Sequence, residues 1–299
     1  MKPSCKPEII PHLDRIAKRH LIEHEAGSMC WREFGAGAPL VLLHGGHGSW
    51  LHWIRNIEAL SAFHRVLVPD LPGYGDSDAL GADSGFAGLV DAVSASIGKL
   101  LGPGAAFDLA GFSFGAVVAG CVARQRTGVR KLAVLGAVGH GRRRRPSGTL
   151  LGWQDAEDEQ ALLAKMRHNL GVLMLHGAID PLALEVHYRS CLRTRFHSKK
   201  TSMSSALTEA LTQLQMPIRM LWGEHDTTGY PAEVGPMWQG ACANRDHGVI
   251  PAAGHWVQYE AADEVNRRLL DWFRISPAPA SGEPAHAAPA GVALGNGNG

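Results

Sequence analysis

Nowhere does the chain hold an apolar run near the ~18 residues that a bilayer-spanning helix needs, so helical membrane spans are not expected. Charge of one sign is missing too. The 29 basic residues face 28 acidic ones, a net of +1, which gives no electrostatic reason to expect a nucleic-acid or membrane-surface partner. Cysteine is sparse: Cys5, Cys30, Cys121, Cys191 and Cys242 are odd in number and contain no close pair. That excludes a disulfide framework and a paired-cysteine zinc site, and points to reduced thiols in the cytoplasm. The opening Met-Lys-Pro-Ser-Cys-Lys-Pro-Glu lacks the apolar core of a secretory signal. No internal repeat is visible. What the chain has in quantity is apolar residues, at 45%, enough for a sizeable core in one large domain, with or without an insertion.

The rest is organised around Phe107-Asp-Leu-Ala-Gly-Phe-Ser-Phe-Gly-Ala116 and the small-residue run to Ala123. A short apolar strand enters Gly111-Phe-Ser-Phe-Gly115 and a helix leaves it. Glycines two before and two after the serine let strand and helix crowd together without Cβ clashes. Ser113 is then held on a tight apex at a helix N-terminus, with its hydroxyl exposed. A hydroxyl is a poor nucleophile, so this geometry is useful only beside a base and an oxyanion site.

In chain order, residues 1–27 read as an arm or short helix. Ser28 to Phe34 reads as a strand, Leu40 to His44 and Val66 to Asp70 as strands buried on both faces, and Phe86 to Leu101 as a helix. Lys131 to Leu135 is a further strand. Alternating strands and helices predict a mainly parallel sheet, with ligands bound outside the carboxyl ends of the strands. The alternation lapses over 140–214, where Asp155 to Leu175 and Pro181 to Arg195 have helical spacing; this reads as a helical cap, or lid. The run Arg142 to Arg145 at its start reads as a solvated hinge face, since no aromatic residue interleaves it. The core pattern of 28–139 resumes over 215–275, through Pro217 to Asp226, Gly248 to His255 and the amphipathic Ala261 to Phe273. Residues 276–299 are rich in Pro, Ala, Gly and Asn and read as a disordered tail.

Asp226 and His255 each follow an apolar strand, so both reach the sheet rim that carries Ser113. The order Ser, Asp, His suits a catalytic triad in this architecture: Asp226 orients the ring, His255 takes the proton, Ser113 attacks. Asp180 is a rival acid that follows no strand. The amides of Phe114 and Gly46 are the expected oxyanion donors. His44, His47 and His52 could instead hold a metal, but no acidic residue or cysteine joins them. Neither metal nor cofactor is expected, and the expected partner is a small-molecule substrate. A homodimer is left open.

Taken together, His44-Gly45-Gly46, Asp70-Leu-Pro-Gly-Tyr-Gly-Asp-Ser77, Gly111 to Gly115, Gly223-Glu-His-Asp226 and Gly254-His255 resemble the α/β-hydrolase superfamily over roughly 28–275. The resemblance implies the α/β-hydrolase fold: an eight-stranded sheet flanked by helices, a cap after the sixth strand, and the triad Ser113, Asp226, His255. Within the superfamily, Gly45-Gly46, Trp50 to Ile57 and Trp256 are similar to the meta-cleavage-product hydrolases, which split a carbon–carbon bond. Two positions depart from that group: Phe112 and His52 stand where asparagine is common. The expected substrate-binding residues are Phe112, Trp50, His52 and Trp256, with Arg189 or Arg193 (or Arg195) from the cap meeting a carboxylate. Three functions follow: hydrolysis of a small, largely apolar ester through an acyl-enzyme, carbon–carbon bond hydrolysis, or non-catalytic ligand binding on the same fold.

Overall fold

A computed structural model describes residues 8–274; the tail expected over 276–299 lies outside the described residues. The strands are β1 (Lys18–His24), β2 (Gly27–Phe34), β3 (Ala38–Leu43), β4 (His64–Pro69), β5 (Phe107–Phe112), β6 (Val129–Leu135), β7 (Ile218–Gly223) and β8 (Arg245–Ile250). They form one sheet in the order β1-β2-β4-β3-β5-β6-β7-β8. β1 and β2 pair antiparallel, as do β2 and β4; every other pair is parallel. The helices are α1 (Ile9–Ile16), α2 (Ile57–Ser61), α3 (Gly85–Leu101), α4 (Phe114–Gln125), α5 (Glu159–Asn169), α6 (Pro181–Leu192), α7 (Lys199–Ser202), α8 (Ala206–Leu211), α9 (Pro231–Gln239), α10 (Val257–Glu260) and α11 (Ala262–Phe273). Among the described residues no helix is long and apolar enough to cross a membrane.

Strand alternation sorts the core into two layers. Val41, Leu43, Phe107 and Leu109 pack with Leu89, Val93 and Ile97 of α3 and Val117 of α4. Leu40, Leu42, Ala110 and Phe112 pack on the other face with Leu60 of α2 and Leu269 and Phe273 of α11. Because both faces are covered, β3 and β5 read as unbroken apolar runs. Each fully buried Val or Leu there contributes about 1.5–3 kcal/mol. Trp222 of β7 is one of these core residues.

Residues 8–27 are more than an arm. They build α1, whose Ile10 and Leu13 are buried, and β1, which adds the sheet's first strand. β1 escaped the sequence pattern because an edge strand faces water on most of its surface and is charged to suit. The segment between β6 and β7 holds α5 to α8, with a π-helical turn at Leu170–Met174 extending α5. α5 and α6 begin on capping aspartates: Asp158 accepts from Ala161 N at 2.7 Å, and Asp180 from Ala183 N at 2.8 Å, followed by Pro181.

The β5–α4 turn leaves no room for side chains at its glycines. A Cβ on Gly111 would lie 2.3 Å from the Gly115 carbonyl oxygen, and one on Gly115 would lie 2.4 Å from the His44 oxygen and 2.5 Å from the Leu43 oxygen. These neighbours are backbone and cannot yield. Gly115→Ala is therefore expected to destabilise the fold by about 3 kcal/mol, the upper end of overpacking costs, read as an early midpoint in urea. A midpoint equal to the parent's would mean that β3 and α4 are not pressed together in solution.

Candidate active site

Ser113 sits between β5 and α4 with φ of 54°, a conformation that only a tightly held turn sustains in a non-glycine residue. Its N–H donates to the Leu135 carbonyl at 2.9 Å, anchoring the turn to β6. His255 follows β8, and its ring lies 5.0 Å from that of Phe112. The Ser113 hydroxyl donates to His255 Nε2 at 2.9 Å. On the far side of the ring, Nδ1 is 3.0 Å from both carboxylate oxygens of Asp226. Asp226 is fully buried, His255 nearly so, and Ser113 half-buried.

Burial alone works against ionising Asp226. The attraction and hydrogen bond of His255, with two bonds of 2.7 Å from the Thr228 N–H and hydroxyl, outweigh it and hold the carboxyl below its usual range. An ionised acid behind a ring whose outer nitrogen meets a hydroxyl is the arrangement that draws a proton off that hydroxyl.

The loop after β3 closes the other side. His44 donates from Nδ1 to the Gly45 oxygen at 2.8 Å, and its Nε2 accepts from Leu71 N at 2.9 Å. His52 Nδ1 accepts from Gly45 N at 3.2 Å. Burial pushes the pKa of both rings down, so both serve as neutral props for the loop backbone. Both His44 nitrogens and His52 Nδ1 are used in this way, so His44 keeps no nitrogen for the metal alternative raised for His44, His47 and His52. Among the described residues, ligating atoms gather closely at Cys30, Asp70 and Asp76, where Arg32 already pairs with both aspartates. Gly45 lies against the serine: a Cβ there would be 3.0 Å from Ser113 Cβ. Among the described residues, neither the Gly46 nor the Phe114 amide donates to a protein acceptor.

The seven residues expected as candidates to bind substrate are placed as follows. Phe112 is a fully buried packing residue under His255 and Gly45. Trp256 is buried beneath the site, donating from Nε1 to the His52 oxygen at 3.0 Å and stacking on Tyr259. His52 is 1% exposed and supports the loop rather than meeting a ligand. Trp50 stacks on Phe34 with the Arg32 guanidinium 4.5 Å from its ring centre, at the β2 edge. Arg189 pairs with Glu185, and Arg193 with Asp76. Both line a cleft of about 520 Å³ against Asp14 and Arg32, not the serine. Arg195 bonds the Ser77 oxygen. Sequence places aromatic and cationic residues near a site in the chain but does not say which way they face. Asp180, the rival acid, is bound by Arg55 and by the Tyr259 hydroxyl, each at 2.6 Å, besides capping α6.

Arg144 was missed. It belongs to the four-arginine run read as a hinge face, and Arg143 fits that reading, exposed and paired with Glu233. Arg144 is half-buried, donates to the Ser202 oxygen at 3.2 Å, and has no carboxylate within salt-bridge distance among the described residues. Burial pushes its pKa down, while the charge of Asp226 pulls it back up. No sequence signal separates it from its three neighbours.

The alpha/beta hydrolase family model matches residues 40–268, which takes in the serine turn, the acid and the histidine. The chain belongs to the alpha/beta hydrolase family. It is 31% identical over 82% of its length to a dihydrolipoyllysine-residue acetyltransferase component of an acetoin cleaving system from Pseudomonas putida, spanning 66% of that protein. It is 26% identical to a 2-hydroxy-6-oxo-6-phenylhexa-2,4-dienoate hydrolase from Burkholderia cepacia, over 80% of this chain and 88% of that one. A solved structure of a putative aryl esterase from Burkholderia cenocepacia superposes with a TM-score of 0.71 at 20% identity, covering 85% of this chain and 97% of that one; at that identity the likeness is one of fold.

Proposed function

We propose that this hydrolase cleaves a small, largely apolar carboxylic ester through an acyl-enzyme. The observation that carries the reading is the unbroken relay from the Ser113 hydroxyl through His255 to buried Asp226. Ser113 attacks the carbonyl carbon as His255 takes its proton, and the amides of Gly46 and Phe114 receive the developing oxyanion. His255 then returns the proton to the leaving alcohol, and water releases the acyl group by the same route. The helices over 140–214 act as the lid. That Arg189 and Arg193 are engaged with Glu185 and Asp76 supports a substrate without a carboxylate at the cap.

A second reading, hydrolysis of a carbon–carbon bond in a carboxylate-bearing dienoate, is favoured by two observations. Several relatives carry such a substrate in their names. Arg144 also supplies a half-buried cation free of a carboxylate partner among the described residues. Wild-type protein is assayed with p-nitrophenyl butyrate and with a coloured 2-hydroxy-6-oxo dienoate. Ester turnover without bleaching supports the first reading, bleaching the second, and neither would remove both. On the second reading Arg144→Met lowers kcat/KM for the dienoate by about 10–100-fold, the size of a charged hydrogen bond lost, and leaves p-nitrophenyl butyrate within about twofold. Equal loss on both substrates would remove Arg144 from carboxylate recognition.

A further inference from the structure

The hydroxyl of Tyr74 is buried and makes no hydrogen bond of normal geometry. Its ring cannot swing to water. It is held edge-on to His44 at 5.1 Å and tilted against Phe114 at 6.4 Å and Phe196 at 6.1 Å. The polar group facing it is the Ser198 hydroxyl, on the turn entering α7 and 6% exposed. Ser198 in turn crowds the loop after β3. A Cβ on Gly46 would lie 2.4 Å from Ser198 Oγ and 3.9 Å from Phe114 Cβ. This hydroxyl therefore sits beside the two residues whose amides have no protein acceptor. Capping does not account for it, because the Ser198 side chain makes no cap bond to α7.

We propose, on the hydrolase reading above, that Ser198 is a third oxyanion donor, delivered by the cap segment, and that Tyr74 is the positioning residue that aims it. Two facing hydroxyls can bond in either direction; in the proposed arrangement the buried phenol places its one proton on Ser198 Oγ. Once Ser198 accepts from Tyr74, its own proton is turned away from the phenol, toward the space beside Gly46. An oxyanion forming there gains a charge-assisted bond that a neutral ground-state carbonyl gains only weakly. Burial pushes the Tyr74 pKa up, so the phenol stays a neutral donor throughout the neutral pH range. Because Ser198 lies between β6 and β7, full oxyanion binding requires the cap to be seated, which ties catalysis to lid closure.

Ser198→Ala, Tyr74→Phe and the double variant are compared with the parent chain on p-nitrophenyl butyrate, together with inhibition by an alkyl trifluoromethyl ketone. Ser198→Ala is expected to lower kcat about 10–100-fold, the lower range for losing one oxyanion donor, with KM within about twofold. Ketone inhibition weakens by the same factor. Tyr74→Phe lowers kcat less, and the double variant is no worse than Ser198→Ala alone, because both removals act on one donor. Ser198→Thr, which keeps the hydroxyl, recovers part of the rate. A kcat for Ser198→Ala within twofold of the parent overturns the proposal, as does a double variant whose losses multiply. If Ser198→Ala does not fold, Tyr74→Phe decides alone: an unchanged kcat overturns it. Fluorophosphonate labelling of Ser113 in the parent separates the two levels. With labelling intact and Ser198→Ala unaffected, only this inference fails; with no labelling and no ester turnover, the hydrolase reading fails and takes the inference with it.

Discussion

Replacing Ser113 by alanine is expected to cut kcat for ester hydrolysis by about 10⁵–10⁶-fold, the loss seen when the nucleophile of a working triad is removed, while the urea midpoint barely moves. The size follows from what is deleted. On the proposed mechanism the Oγ is the atom that bonds to substrate carbon, and among the described residues no second hydroxyl is held within hydrogen-bond distance of His255 Nε2. What remains is the oxyanion site and substrate binding, which retain only a small part of the acceleration. Stability should hold because the turn is secured by backbone, through the Ser113 N–H to the Leu135 oxygen and the close glycines, none of which needs the hydroxyl. The positive φ of Ser113 is as strained for alanine as for serine. Activity within tenfold of the parent would mean that another group attacks.

Asp226→Asn should cost about 10⁴-fold in kcat, from the wrong ring tautomer. The carboxylate accepts from His255 Nδ1, which leaves Nε2 free to accept from Ser113. Asparagine turns an N–H₂ toward Nδ1, favours the proton on Nε2, and so aims a donor at a hydroxyl that must lose its proton. Thr228 Oγ1 lies 3.3 Å from the same nitrogen and can accept in part, which sets a floor to the loss. Steady-state kinetics checks this, with fluorophosphonate labelling slowed in parallel. A loss under tenfold would move the orienting role to another group. Asp180 is not available for it, being bound by Arg55 and Tyr259.

Much of this arrangement could be read before any coordinates. β3 and β5 announce themselves because strands covered on both faces must be apolar throughout, and Gly111 to Gly115 because only glycine tolerates such close backbone. Ser113, Asp226 and His255 each follow a strand of the parallel part of the sheet, so parallel pairing carries them to one rim. The start of β8 at Arg245 and the whole of β1 were not legible, since edge strands carry charge and no continuous apolar run. The residues proposed to face substrate are the least legible. Trp256 and Phe112 carry the right chemistry but point into the core, while Arg144 and Ser198 reach their places through the packing of the cap segment, which no local pattern specifies.

The central claim is that His255, backed by Asp226, makes the Ser113 hydroxyl reactive. Incubation of the folded chain with a fluorophosphonate, followed by intact-mass and peptide mass spectrometry, tests it most directly. The account predicts one adduct per chain, on the peptide carrying Ser113, forming at least about 10³-fold more slowly in His255→Gln, as expected when the activating base is removed. No adduct on Ser113, or one that forms as fast without the imidazole, would contradict it.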